Sequence, residues 1–460
     1  MNIKKKLLSD SAKMRWAILL MLSSVMFASY FFDDIFSTIS QIFKNPEIVA
    51  LGWSSSDYGF YGGAYSFLCV WGGLIICGML LDKWGVKFTG SLFVGLMAGG
   101  ALLVTYSISE SFNQSGLSTW MSQFVSKPSL TLAYAGCAIF GLGSEIAGVA
   151  VTRSIAKWFK GHEMALAMGL QLALARLGTA IALVLVPRIV NIEQSFIPYS
   201  ETSRPAVAGM LLMIIAIVFW AIFIFFDSKI DKQIKSGELQ AESQAKSKDD
   251  QFKFSDIFKV LSNKHFILVA LLCVFFYCCI ISFRRFATSI IIPRFEISGD
   301  IAAWMVSMIP FCTMIFTPLF GTLVDRRGKG TRLMILGSCL VFVAHLIIAF
   351  APSFQFFGYA GIAILGIGYS LVPAAMWPSV PKIIPEKNLG TAYSLIYWIQ
   401  NMGLMIVPVI VGKIVEKTTS PVDAEYLFIG LAIVAIIISL LLARSSDKNP
   451  QLELDKPNKA

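Results

Sequence analysis

Apolar residues in this chain form long stretches separated by short polar loops. Runs long enough to cross about 30 Å of hydrocarbon at ~1.5 Å per residue fall near residues 16–38, 58–81, 88–108, 131–152, 164–187, 205–226, 265–290, 301–323, 332–351, 355–378, 390–412 and 425–444. The pattern predicts roughly twelve spanning helices, six on each side of a polar stretch from Asp227 to about Asp256 that has no apolar period. The expected organisation is a tail over 1–15, a six-helix bundle over 16–226, a linker over 227–258, a second six-helix bundle over 259–444 and a tail over 445–460.

Composition agrees with an all-α membrane protein. With 56% hydrophobic and 14% charged residues, the chain has too little polar surface to cover a soluble globule of 460 residues. If the N-terminus is cytoplasmic, about 28 Lys and Arg fall in inner loops and tails against about 7 in outer loops, and the positive-inside rule places both termini inside. That bias accounts for the net charge of +10, and no basic patch with interleaved aromatics points to nucleic acid. The run beginning near Trp16 has no small-residue cleavage site after it, so it reads as the first span and not a removed signal. All eight cysteines fall in spans, where they act as small apolar residues. His162, His265 and His345 are scattered, and no nucleophile-base pattern or phosphate-cradling loop accompanies them. Neither a metal, nor a cofactor, nor an enzymatic activity is expected.

A charge within hydrocarbon costs about 2.5 kcal/mol or more unless it meets a partner or a wet cavity, so charges inside spans are candidates for function. Glu145 lies about seven residues before the expected inner end of span four, or roughly 10 Å from it, and Arg176 about eleven residues into span five, or roughly 16 Å. The two are expected to be offset by several ångströms. Gly143, Ala147 and Gly148 near the first, with Ala173, Ala175 and Gly178 near the second, leave room beside the charges. A carboxylate and a guanidinium on adjacent helices suit a zwitterion such as a dipeptide, whose charged ends lie about 6 to 7 Å apart when extended. The alternative is a structural ion pair between them. Asp33 and Asp34 end span one, with Asp33 expected to face water and Asp34 and Tyr30 expected to line an outer vestibule. Arg284 and Arg285 lie deep in span seven, about 100° apart on a helix, so at most one is expected to face the centre. Arg284 is a candidate ligand for an anionic group. Tyr277, Tyr369, Trp377, Tyr393 and Asn401 are candidates for a side-chain wall, with Pro373 and Pro378 bending span ten around Trp377.

A ten-residue loop occurs twice, as Gly78-Met79-Leu80-Leu81-Asp82-Lys83-Trp84-Gly85-Val86-Lys87 and as Gly321-Thr322-Leu323-Val324-Asp325-Arg326-Arg327-Gly328-Lys329-Gly330. It resembles the loop joining the second and third helices of each half of major facilitator carriers. Asp82 and Asp325 are expected to lie at the N-termini of spans eleven and five, where unpaired N–H groups favour an anion, with Arg153 joining this inner gate. Further stretches are Gly143-Ser144-Glu145, Trp158-Phe159-Lys160-Gly161-His162-Glu163, Gly169 to Gly178, Tyr369-Ser370-Leu371, Trp377-Pro378, Pro385-Glu386, Leu389 to Tyr393 and Ile399 to Leu404. They resemble the major facilitator superfamily domain-containing protein 1 family, the lysosomal dipeptide transporters of animals, from about residue 20 to about residue 440.

The resemblance implies alternating-access transport of dipeptides, as uniport or with protons, with Glu145 and Arg176 holding the two charged ends. The Arg284-Arg285 pair and the long outer loop from Ser109 to Ser129 depart from the family pattern. An organic-anion carrier using Arg176 with Arg284 or Arg285, and a transporter-like peptide sensor, are the other readings. The N-terminus lacks the acidic dileucine signal of animal members, and its Lys-rich tail fits a bacterial inner membrane. The expected partners are the lipid bilayer and a small substrate, and the expected state is a monomer.

Overall fold

The computed structural model describes residues 8–40, 51–159, 162–190, 199–236, 254–385, 388–418 and 420–457. Among the described residues, twelve helices are long and apolar enough to cross a membrane, and there are no strands. In the first half these are α1 (Ala12–Asp33), α2 (Ser55–Leu81), α3 (Lys83–Ser107), α4 (Pro128–Trp158), α5 (Met164–Val190) and α6 (Tyr199–Ser236). In the second half they are α7 (Lys264–Phe295), α8 (Gly299–Arg327), α9 (Gly330–Phe350), α10 (Gln355–Ile383), α11 (Leu389–Lys417) and α12 (Asp423–Lys448). An even number of spans puts both ends of the chain on one face, here called the terminal face; the opposite one is the far face.

Capping side chains fix where several helices begin. Ser54 and Asp57 form a reciprocal capping box at α2, the Asn263 amide oxygen accepts from His265 N and Phe266 N at α7, and Pro128 opens α4. Some ends differ from those expected. Helix α4 runs six residues past 152, and α6 runs through the first ten residues of the expected linker. These extensions support each other outside the apolar layer: Lys157 Nζ lies 2.9 Å from Asp227 and 2.6 Å from Asp231, and Trp158 Nε1 donates to Asp227. The end of the linker is a short helix, Phe254–Leu261; the rest of it, 237–253, lies outside the described residues.

Each half packs chiefly on itself, with α3 on α4, α2 on α4 and α1 on α5 and α6 in the first, and α9 on α10, α8 on α10 and α7 on α11 and α12 in the second. The halves meet mainly along α2–α11 and α5–α8. The α2–α11 seam is a backbone contact. A Cβ at Gly59 would sit 2.4 Å from Pro408 O, and one at Gly63 would sit 2.4 Å from Met405 O. Past this seam α2 breaks at Trp71 and Gly72, where Gly72 has φ +93°, and the Val70 carbonyl accepts a 2.7 Å bond from Trp398 Nε1 of α11.

After α12 the chain folds back over the terminal face. The Asp455 carboxylate accepts from Thr331 N at 2.8 Å and Thr331 Oγ1 at 2.6 Å, at the start of α9, while Lys382 Nζ donates to the carbonyls of Glu453 and Lys456. Leu454 is buried beneath.

Because the seam has no room for a side chain, Gly59→Val and Gly63→Val should each destabilise the protein by about 1–3 kcal/mol. Gly430→Val, at a position with no heavy atom within 4 Å of its Cβ site, should be near neutral. Thermal unfolding of the three purified variants checks this.

Candidate functional site

Glu145 and Arg176 lie at the same depth. The short connection between α4 and α5 puts the end of one helix level with the start of the other, and the two residues stand thirteen before Trp158 and twelve after Met164. At the rise of a helix both are about 18 to 20 Å from the terminal face. The expected offset disappears because α4 is longer than its apolar run. Arg15 of α1 ties this hairpin down with a 3.3 Å ion pair to Glu163.

Both charges are partly exposed, and among the described residues they form no ion pair with each other. Glu145 Oε1 accepts a 3.2 Å bond from Tyr65 OH of α2. That hydroxyl also lies 3.1 Å from Ser144 Oγ, which lies 2.6 Å from Ser29 Oγ of α1. The guanidinium of Arg176 lies 5.5 Å from the centroid of the Tyr30 ring and 5.3 Å from that of Tyr369. Tyr369 OH and Asn401 Oδ1 are buried without hydrogen-bond partners, and Asn401 Nδ2 donates to Tyr397 O within α11.

The second half faces these charges with aromatic rings. Trp377 Nε1 donates to Tyr277 OH at 3.2 Å, Tyr277 meets Tyr369 edge-on at 5.8 Å, and Trp377 stacks on Tyr397 at 5.1 Å and lies 6.0 Å from Tyr393. The structure thus gathers Tyr30, Glu145, Arg176, Tyr277, Trp377 and Asn401 around one region between the halves.

Asp34 and Arg284 stand elsewhere. Arg284 Nη2 lies 3.1 Å from Asp34 Oδ2, with both side chains 5% exposed or less, and Arg285 Nη2 lies 2.8 Å from Asp33 Oδ1. Both arginines therefore face α1, which a helix-to-helix contact would not allow. The reason is that α1 stops at Asp33, and Asp34 leaves the helical path at φ −100°, ψ 8°. Asp33 is ion-paired and not simply hydrated. Next to this quartet, Thr288 Oγ1 donates to Ser37 O, and Ser40 Oγ lies 3.2 Å from Ser289 Oγ. Nearer the far face, Glu416 of α11 accepts from Ser54 Oγ at 2.9 Å and Ser56 N at 2.8 Å, capping the start of α2, and Arg188 lies over the Trp304 ring. These contacts close the far side. Tyr397, eight residues from the terminal-face end of α11, is 39% exposed.

The sequence pattern of the Major Facilitator Superfamily matches residues 18–295 and 274–460. The chain belongs to that superfamily. Among curated proteins it is similar to the lysosomal dipeptide transporter MFSD1 of Homo sapiens, 24% identical over 438 residues, or 93% of this chain and 84% of that one. It is also similar to MFSD1 of Mus musculus, 25% identical over 448 residues, covering 95% and 88%. Among solved structures, the inward open conformation of the xylose transporter XylE from E. coli matches with TM-score 0.70 at 13% identity, covering 94% of this chain and 96% of that one. That likeness speaks for the fold. The chain is a multi-pass membrane protein with two six-helix bundles and is a transporter, as its relatives are, not an enzyme.

Two of the residues expected at an inner gate have described side chains. Arg153 lines a cavity of about 250 Å³ with Trp84, Lys87, Lys157, Asp227 and Asp231 on the terminal face. Asp325 is exposed on that face, near Lys382 of its own half. The Asp82 side chain lies outside the described residues. The sequence reading missed Tyr65, Tyr397, Trp398 and Glu416. Only Glu416 had a legible cue, a carboxylate at the end of one span opposite a capping motif, Ser54 to Asp57, at the start of another.

Removing one member of a buried pair strands the other. Arg284→Ala should cost about 3–5 kcal/mol, Arg285→Ala less because Asp33 is 21% exposed, and the Asp34→Asn, Arg284→Gln double variant should recover most of the loss. Thermal unfolding in a double-mutant cycle measures the coupling.

Proposed function

We propose that this chain carries dipeptides across the membrane by alternating access, with the substrate's amine at Glu145 and its carboxylate at Arg176. The observation that supports this reading is a carboxylate and a guanidinium at one depth of one cleft, each without an ionic partner among the described residues. A single charge there is costly in hydrocarbon. A zwitterion whose ends are about 6 to 7 Å apart neutralises both at once, and an uncharged or singly charged molecule leaves one exposed. Substrate binding thereby removes the electrostatic obstacle to closing the cleft. Tyr30 and Tyr369, one from each half, clasp Arg176 and couple its occupancy to the approach of the halves.

Transport then needs the far side to open. The halves rock about the midplane site, the Asp33-Arg285 and Asp34-Arg284 pairs separate into incoming water, and Asp82, Arg153 and Asp325 act in closing the terminal face. The termini face the cytoplasm in this reading, following the distribution of Lys and Arg, with a bacterial inner membrane as the location and a single chain as the working unit. The organic-anion reading is less well supported, because Arg284 and Arg285 each already hold an aspartate.

Reconstituted vesicles test the proposal. Free dipeptides should enter and compete with each other, N-acetylated and C-amidated forms should do neither, and Glu145→Gln and Arg176→Ala should lower uptake at least tenfold without changing the unfolding temperature. Near-normal uptake in either variant removes that residue from the site, binding without flux indicates a sensor, and equal uptake of N-acetylated forms indicates an anion carrier. Repeating the assay with an imposed pH gradient separates proton coupling, which gives accumulation above equilibrium, from uniport.

A further inference from the structure

We propose that Tyr397 and Trp377 form the pocket for the side chain of the substrate's first residue and favour an aromatic group there. The inference rests on the dipeptide reading above and adds an orientation and a side-chain class to it.

Tyr397 is 39% exposed although it lies well inside the bundle. One face of its ring stacks on Trp377 at 5.1 Å with 28° between planes. Glu145 and Tyr30 of the first half interact electrostatically with Tyr397, which puts the ring near the carboxylate proposed to take the amine. The platform is held in place from several sides. Tyr277 OH accepts from Trp377 Nε1, Tyr393 OH donates to Trp377 O at 3.4 Å, and after Pro373 α10 passes into a 3-10 turn at Trp377–Ser379, which contains Pro378. One residue along α11, Trp398 bonds to Val70 O across the halves and fixes the rotation of the helix that presents Tyr397.

The two ends of the site differ in free aromatic surface. Tyr30 and Tyr369 both lie against the Arg176 guanidinium, so those rings are already engaged by the cation that receives the carboxylate. At the Glu145 end the Tyr397 ring has an accessible surface. A substrate amine at Glu145 brings the first residue's α-carbon one bond away, so the first side chain reaches Tyr397 while the second residue lies toward Arg176. Aromatic pairs favour offset or edge-on contact, which a ring on a one-carbon stem can make here. The expected preference is about fivefold in affinity, the scale of one aromatic pair.

Thermal-shift titration of the purified full-length protein with Ala-Ala, Phe-Ala, Ala-Phe and Lys-Ala tests this. Phe-Ala should bind about fivefold tighter than Ala-Phe or Ala-Ala. In Tyr397→Ala, Phe-Ala should bind no tighter than Ala-Ala does to the same variant, and Tyr397→Phe should keep the preference. Equal affinities for Phe-Ala and Ala-Phe, tighter binding of Lys-Ala than of Phe-Ala, or a Phe-Ala preference retained in Tyr397→Ala would each overturn the subsite. Failure of the unaltered protein to bind any of the four would instead overturn the dipeptide reading, and the subsite with it.

Discussion

Two aspartates at the end of α1 meet two arginines in α7, and the sealed arrangement of this protein depends on that meeting. Asp34, Arg284 and Arg285 are buried in an apolar bundle and Asp33 is partly so, where each charge alone would be unfavourable. As two pairs they cancel, and they do so only while the halves touch on the far side. The pairing therefore does more than hold two helices together. It makes the closed far side the state in which these charges can stay dry, and requires the opposite state to be wet at the same place.

Glu145 and Arg176 present the complementary case. They lie nearer the middle, are partly exposed and make no ion pair with each other. One set of charges is satisfied by the protein, and under the dipeptide reading the other is satisfied by the substrate. A mobile carrier needs both kinds, since a gate must be neutral when empty and a binding site must not be. The closeness of Tyr30 to Asp33 and Asp34 along α1 means that the two sets share a helix, so movement at one is felt within a turn at the other.

Much of this architecture could be read in the sequence. Twelve spans followed from the length of apolar runs, because the bilayer imposes a minimum length on any helix that crosses it. Helix ends were less legible: the apolar run of α4 ends at residue 152 but the helix does not, since Asp227 and Asp231 of α6 support Lys157 outside the hydrocarbon. Glu145, Arg176, Asp34 and Arg284 stood out as charges where charges are rare. Their pairing did not, because Asp34 and Arg284 are 250 positions apart and their contact depends on α1 ending where it does. Tyr65 and Tyr397 carried no signal at all among so many aromatic residues; a phenol in a span looks the same whether it meets lipid or a carboxylate.

The fold-back after α12 has a practical consequence. Asp455 supplies the anion that satisfies the first turn of α9, and the backbone around it receives Lys382, so the residues up to Lys456 belong to the folded second half even though they follow the last crossing. A fusion partner or affinity tag joined directly to the end of α12 would displace this segment and leave an exposed helix start beside the repeated loop. Joined after Lys456, the same tag would begin beyond the last of these contacts.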